Sequence, residues 1–307
     1  MKPTKEIKIG KVKIGSNNPI AIQSMTTTLT SDADATIKQI HELEEIGCEI
    51  IRVAVPDKES ADALKQIKEN ISIPLVADIH FDYKLAIESA KYADKLRINP
   101  GNIGDKEKIK QVVDAAKQYG IPIRIGVNLG SLEKDLEKKY GLTPLAMVES
   151  AMRNVRLVEE LDFTNIIVSL KASDVLKTIQ AYRLFSQRSY YPLHLGITES
   201  GTIFSGTIAS SIGIGSLLLE GIGDTIRVSL SDKPHEEIKV GKQILQALKL
   251  RRFGVSVIAC PTCARANFDV ASIAKQLEKE TEKIKKPISI AIMGCGVNGP
   301  GEAKEAD

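Results

Sequence analysis

Apolar residues in this chain fall into short Val/Ile-rich runs, separated by longer stretches with an apolar position every three or four residues. The runs are IAIQSM (from Ile20), EIIRVAV (from Glu49), IPLVADI (from Ile73), KLRINP (from Lys95), IPIRIGVN (from Ile121), NIIVSLK (from Asn165), YPLHLGIT (from Tyr191) and DTIRVSL (from Asp224). The stretches between them, such as DADATIKQIHELEEIG and DKESADALKQIKEN, have the period of amphipathic helices. Short strands apolar on both faces, each followed by a helix, indicate parallel pairing. Eight such units between residues 20 and 250 fit a (β/α)8 barrel. A doubly wound sheet is the rival, and the count of eight favours closure. The leading IKIGKVKIG reads as a hairpin before the first barrel strand, closing the bottom of the barrel.

The pattern changes near Phe253, which divides the chain into a barrel over 1–252 and a small α/β unit over 253–307. VSVIAC reads as a strand ending at a cysteine, NFDVASIAKQLEKETEKI as a helix, and PISIAIMGC as a second strand ending at a cysteine. A unit of about 55 residues often needs a metal to hold it together. Two strands and one helix make an unfinished sheet, so the natural chain is expected to run on past Asp307.

Composition narrows the function classes. With 307 residues and 43% apolar content, the chain suffices for one large domain and a small one. No apolar run reaches the length of a membrane span. The opening MKPTKEIKIGKVKIG has no signal-peptide core, so the expected compartment is the cytoplasm. A net charge of +3, spread over alternating Lys/Glu faces, and only 4% aromatics argue against a nucleic-acid binder. Anion binding would therefore rest on individually placed cations.

Barrel enzymes place their chemistry at the C-terminal ends of the strands. Arg52, Arg97, Arg124, Lys171 and Arg227 all stand there, with Asn99, Asn128, Ser229, Asp78, His80 and Glu199. A single strand arginine is as readily a salt-bridged structural residue. Five converging cations with only Asp78 and Glu199 beside them imply an anionic ligand, and guanidinium groups suit phosphate oxygens. Glu199 is a candidate acid/base group, with a salt bridge to Arg227 as the plain alternative. Asn99 and Asn128 orient either a ligand or their own loops. The Gly/Ser/Thr-rich ITESGTIFSGTIASSIGIG after the seventh strand can offer backbone N–H groups to phosphate, or simply turn the chain.

Four cysteines are too few for a secreted disulfide scaffold of this length. Cys48, in EEIGCEI, reads as packing. Cys260 and Cys263 stand in ACPTCAR, and Cys295 in MGCGVNGPGE, followed by Glu302. A dithiol redox pair needs no third cysteine. A structural zinc site wants four Cys/His ligands, and all four histidines lie in the barrel. Three thiolates with one oxygen ligand suit a [4Fe–4S] cluster having one iron open to substrate.

ACPTCAR and MGCGVNGPGEAKEAD closely resemble the 4-hydroxy-3-methylbut-2-enyl diphosphate synthase family of non-mevalonate isoprenoid biosynthesis. QSMTTTLTSD, ADIHFDYKLA, LRINPGNIG, IRIGVNLGSL, SLKASDV, LGITESG and GDTIRVSL resemble that family's barrel segments. The resemblance implies an iron–sulfur oxidoreductase that opens the cyclic diphosphate of methylerythritol by reductive dehydration. It implies two electrons delivered singly from flavodoxin or ferredoxin through the cluster, and a head-to-tail homodimer. By position it implies cluster ligands at Cys260, Cys263, Cys295 and Glu302. It implies diphosphate contacts at Arg52, Arg97, Arg124, Lys171, Arg227 and Ser229, polar contacts at Asn99 and Asn128, and a proton donor at Glu199. Glu302 would leave the iron when a substrate oxygen binds it. The alternative is a phosphate-binding barrel transferase of the dihydropteroate synthase type with a structural zinc site.

Overall fold

The computed structural model describes residues 3–261, 263–282, 284–296, 301 and 303–307, which form two compact units, 1–244 and 245–307. Strands β1 (Ile7–Ile9) and β2 (Val12–Ile14) form an antiparallel hairpin. Eight parallel strands follow: β3 (Ala21–Met25), β4 (Ile50–Ala54), β5 (Leu75–Asp78), β6 (Lys95–Ile98), β7 (Ile123–Asn128), β8 (Ile166–Lys171), β9 (His194–Leu195) and β10 (Thr225–Ile226). Each lies inside one of the eight apolar runs.

Their order, β8-β7-β6-β5-β4-β3-β10-β9, is that of a ring. It closes through a parallel bridge between Val168 and Leu193, and the Val168 N–H donates to the Pro192 carbonyl at 2.9 Å. The apolar run YPLHLGIT is longer than β9. Pro192 has no N–H to give a ladder, so regular pairing starts only at His194. The protein is therefore an α/β chain with a (β/α)8 barrel.

Helix starts follow from the residues after each strand. Asp32, Asp57, Asp105 and Asp174 each accept a hydrogen bond from a backbone N–H of the first turn, at 3.0, 2.8, 3.0 and 2.9 Å. This satisfies donors that the helix leaves open. Gly120 ends the helix Lys106–Tyr119 in the left-handed region at φ 66°, where glycine has no Cβ penalty. Helix stripes such as Thr36, Ile40 and Leu43, or Ala61, Leu64 and Ile67, are buried at the expected spacing.

At the N-terminal end of the barrel, Ile7, Ile9 and Ile14 of the hairpin join Ala21, Ile50, Val76 and Ile167 in one buried cluster. The hairpin thus plugs the bottom, and the open end is the one where the strands finish.

The smaller unit has parallel strands β11 (Val255–Ala259) and β12 (Ile288–Ile292), with the helix Val270–Thr281 between them in sequence. Both strands are mostly half-buried. Asp307 pairs with the edge of β12, donating its N–H to the Ser289 carbonyl at 3.1 Å and accepting the Ser289 N–H at 2.8 Å. No helix among the described residues is long and apolar enough to cross a membrane.

Candidate active site

Neighbouring strands set the cations in register. Met25 pairs with Arg52, and Arg97 with Arg124, so the parallel ladder stacks guanidinium groups around the open end. Arg52, Arg97, Arg124 and Lys171 are all buried. Asp78, at the end of β5, is shared. It accepts from Arg97 Nη1 at 3.0 Å, stands 3.6 Å from Arg52 Nε, and lies 3.5 Å from His80 Nε2. Burial alone would raise the Asp78 pKa; Arg52, the His80 contact, Arg97 and Arg124 override it and hold the carboxyl well below its usual range. Burial lowers Arg52 to about 10 against the pull of Asp78, so it stays protonated at neutral pH.

Two glycines make room for the cations. A β-carbon on Gly126 would lie 2.9 Å from Arg97 Nε. One on Gly196 would lie 2.7 Å from both Lys171 Nζ and the Arg227 carbonyl oxygen. Each side chain fills the space that a Cβ would take on the strand beside it.

Arg227 follows β10, and its Nη2 donates to Glu237 at 3.3 and 3.4 Å. Glu237, buried in the helix Pro234–Ala247, also accepts the Leu230 N–H at 3.1 Å and the Ser24 hydroxyl at 3.4 Å. Sequence reasoning considered Glu199 as the partner of Arg227 and passed over Glu237. Glu237 sits in an ordinary helical pattern, PHEEIK, where it reads as a solvated first-turn acid.

Glu199 is instead exposed, at φ 53°, and no hydrogen bond or ion pair of its side chain occurs among the described residues. A non-glycine residue held in this region carries backbone strain of the kind found at functional sites. Ser229 is half-buried and its carbonyl accepts from the Ser200 hydroxyl. Asn99 is buried and its Oδ1 accepts the Gly101 N–H at 3.2 Å, so it caps its own loop. Asn128 ends β7 half-buried, its carbonyl accepting from Ser131 Oγ at 3.4 Å.

Beneath the mouth lies a polar layer that the sequence reading did not single out. Lys95 Nζ on β6 donates to Gln23 Oε1 on β3 at 3.0 Å, a pairing between strands three places apart that only the barrel interior allows. His194 Nδ1 lies 2.8 Å from Thr225 Oγ1, and Tyr182 Oη donates to the His194 carbonyl at 2.6 Å. Lys95 opens the run KLRINP, where it looks like a strand-entry residue facing water.

In the smaller unit, β11 and β12 finish side by side with Ala259 opposite Ile292, so their cysteines emerge at one end of the sheet. The Cys260 N–H donates to the Ile292 carbonyl at 3.1 Å, and the Gly294 N–H donates to Cys260 Sγ at 3.2 Å. The loops are tied further by Asn267 N–H to the Gly294 carbonyl at 2.9 Å. A β-carbon on Gly294 would meet Val270 Cγ2 at 2.7 Å, so the residue before Cys295 has to be small. Cys260 and Cys295 are half-buried, Cys263 is exposed, and none of the three is in a disulfide. Glu302 lies outside the described residues, and no three His, Cys, Asp or Glu side chains gather as a metal site among those described. The donor chemistry nonetheless fits a thiolate-held cluster: three cysteines outside any disulfide, two of them at neighbouring strand ends, one already accepting a backbone N–H.

Comparisons with known proteins place this arrangement. Residues 4–242 match the GcpE TIM-barrel domain, and 256–307 the GcpE protein C-terminal domain. The chain is 63% identical over 308 residues to a protein of Caldanaerobacter subterraneus subsp. tengcongensis, covering 100% of this chain and 87% of that one. It is 60% identical over 306 residues to one of Caldicellulosiruptor saccharolyticus, covering 99% and 88%. Both relatives are named 4-hydroxy-3-methylbut-2-en-1-yl diphosphate synthase (flavodoxin). Among solved structures, type I 3-dehydroquinate dehydratase of Clostridium difficile matches with a TM-score of 0.59 at 15% identity, covering 80% of this chain and 98% of that one. Dihydropteroate synthase of Stenotrophomonas maltophilia matches at 0.57 and 12% identity, covering 80% and 98%. These two are likenesses of the barrel fold alone. The domain matches and the close relatives show that this chain is an enzyme of the GcpE family.

Proposed function

We propose that the chain reduces 2-C-methyl-D-erythritol 2,4-cyclodiphosphate to 4-hydroxy-3-methylbut-2-enyl diphosphate, consuming two electrons and losing one oxygen as water. The observation that carries this reading is the unmatched positive charge in the barrel. Asp78 serves Arg52 and Arg97, Glu237 serves Arg227, and among the described residues neither Arg124 nor Lys171 has a carboxylate at ion-pair distance. Arg124 Nε and Nη1 are buried donors with no partner among the described residues. Donors in that state demand an acceptor, and diphosphate oxygens meet the demand.

In this reading Arg52, Arg97, Arg124, Lys171, Arg227 and Ser229 hold the diphosphate. Asn99 and Asn128 orient the carbon skeleton, and Glu199 gives the proton that lets water depart. Asp78 and Glu237 fix the guanidinium groups in place. Cys260, Cys263, Cys295 and Glu302 would hold a [4Fe–4S] cluster, which supplies low-potential electrons one at a time, chemistry beyond any side chain. Flavodoxin, printed in the relatives' names, is the donor we favour over ferredoxin, and the cytoplasm is the compartment such a donor requires.

A homodimer is part of the same reading. The helix Ile203–Leu219 leaves Phe204 79%, Ile208 45%, Ile212 51% and Leu219 74% exposed, an apolar stripe at helical spacing. A stripe of that kind is a contact surface in a soluble chain. The dihydropteroate synthase reading retains only the shared fold in its favour.

The test is turnover of the cyclic diphosphate by anaerobically reconstituted protein with reduced flavodoxin. Product formation, lost in Cys260→Ser and reduced at least a hundredfold in Arg124→Met, is expected. Protein that carries iron and sulfide yet neither binds nor consumes the cyclic diphosphate would refute it.

A further inference from the structure

Among the described residues, three buried cations of the barrel have no anion at ion-pair distance: Lys95, Arg124 and Lys171. The carboxylates buried in the barrel are committed elsewhere. Asp78 holds Arg52 and Arg97, Glu237 holds Arg227, and Asp224 accepts from Thr4 Oγ1 and the Leu193 N–H. Guanidinium keeps its proton in any protein interior, whereas an ammonium gives its proton up readily when buried. The excess charge of the ligand-free barrel can therefore be relieved only at the lysines.

Lys95 is the better placed of the two. It is 0% exposed, and its hydrogen-bond partner is the neutral Gln23 Oε1. The ionisable side chains buried on the barrel strands around it are Arg52 on β4, Asp78 on β5, Arg97 on its own β6, Arg124 on β7, Lys171 on β8 and His194 on β9. Arg227 after β10, Tyr182 from the helix Val175–Arg188 and Glu237 from the helix Pro234–Ala247 complete the set. The balance of these is strongly cationic. Burial, then Arg124 and Arg52, push the Lys95 pKa well below its usual value. His194, also 0% exposed and with Nε2 unpartnered, is pushed down by the same burial and then by Arg124, Lys171, Lys95 and Arg52. Lys171 stands at the mouth, where it touches the ligand in the reading above. Lys95 sits two residues before Arg97 on one strand, about 6.6 Å deeper.

We propose that Lys95 is a buried proton acceptor coupled to the anion site: uncharged in the empty barrel, it takes one proton from solvent when a diphosphate binds above it. This rests on the diphosphate reading of the mouth. Lys95 is fully buried, so the field of a bound polyanion reaches it with little screening by solvent ions. The step is a simple transfer: a buffer acid loses a proton, and the Nζ lone pair of Lys95 receives it. Binding is then tighter at lower pH, by linkage.

The test is isothermal titration calorimetry of the full chain, handled anaerobically without reductant, with the cyclic diphosphate at pH 8. The probe carries one strongly acidic hydroxyl on each phosphorus and does not itself titrate there. Runs in buffers of different ionisation enthalpy count the protons exchanged. Uptake of about one proton per bound ligand is expected, with affinity falling as pH rises. Lys95→Met is expected to bind up to about tenfold more weakly and to lose at least half of that uptake. If Lys95→Met does not give a native circular-dichroism spectrum, Lys95→Gln serves in its place. Binding without uptake in the unaltered chain overturns the inference and leaves the anion site standing. Uptake undiminished in the variant assigns the proton to another group and also overturns it. No binding at all removes both this inference and the reading of the mouth.

Discussion

The guanidinium of Arg97 occupies the space above Gly126, so a β-carbon there would stand 2.9 Å from Nε and 3.1 Å from Nη2. Gly126→Ala is therefore expected to displace Arg97 while the strand itself remains. Binding of the cyclic diphosphate should weaken about tenfold, read by calorimetry, with an unchanged circular-dichroism spectrum. Unaltered affinity would mean that Arg97 does not touch the ligand.

Glu237 ties three elements through Arg227, Leu230 and Ser24. Glu237→Ala strips the half-buried Arg227 of its buried partner and leaves a backbone donor open. A loss of roughly 3 kcal/mol in unfolding free energy is expected by chemical denaturation. A change below about 0.5 kcal/mol would show that solvent already serves Arg227.

Thiol chemistry should separate the cysteines. Burial raises the Cys48 pKa to about 12, and its Sγ donates to the Ile50 carbonyl at 3.2 Å. In cluster-free native protein at pH 8, iodoacetamide should label Cys263 first and leave Cys48 untouched until denaturant is added. Mass spectrometry of the peptides checks this order, and early labelling of Cys48 would contradict its packing role.

The ligand-free protein should become more stable as pH rises from 7 towards 10. Lys95 and Lys171 have folded-state pKa values pushed below the unfolded one, first by burial and then by neighbouring arginines. Within that window the unfolded chain binds more protons than the folded one, so unfolding free energy increases with pH through it. Melting temperatures across the range, with Lys95→Met expected to flatten the rise, provide the check. A fall over the same interval in both proteins would show that other groups dominate.

The outward stripe of the helix Ile203–Leu219 makes a separate claim. Ile208→Asp places a charge in its middle and should weaken self-association at least a hundredfold, seen by light scattering, without loss of the fold. A protein that is monomeric before the substitution would remove the premise.

The barrel was legible because its strands are uniformly apolar and its helices periodic, so eight β/α units could be counted without any tertiary information. The cations at the mouth were legible because the strand ends are a defined location. Gln23, Lys95 and Glu237 were not. Gln23 interrupts one run and Lys95 opens another, and only ring closure turns both towards the same axis. Glu237 is one of two adjacent acids at a helix start, and nothing local says which one points inward. Strand periodicity places Gly126 and Gly196, but the side chain each one accommodates comes from another strand or loop.

The plug beneath the barrel has a consequence for how the chain is made. The segment before β3 is tied to late-synthesised residues: Lys5 N–H donates to the Tyr190 carbonyl at 2.8 Å, and Thr4 Oγ1 to Asp224 Oδ1 at 2.7 Å. The hairpin must therefore wait, with its isoleucines unsheltered, until some two hundred later residues have emerged. Such a delay makes the hairpin a late latch in assembly, and the nascent chain a natural client for a chaperone until it engages.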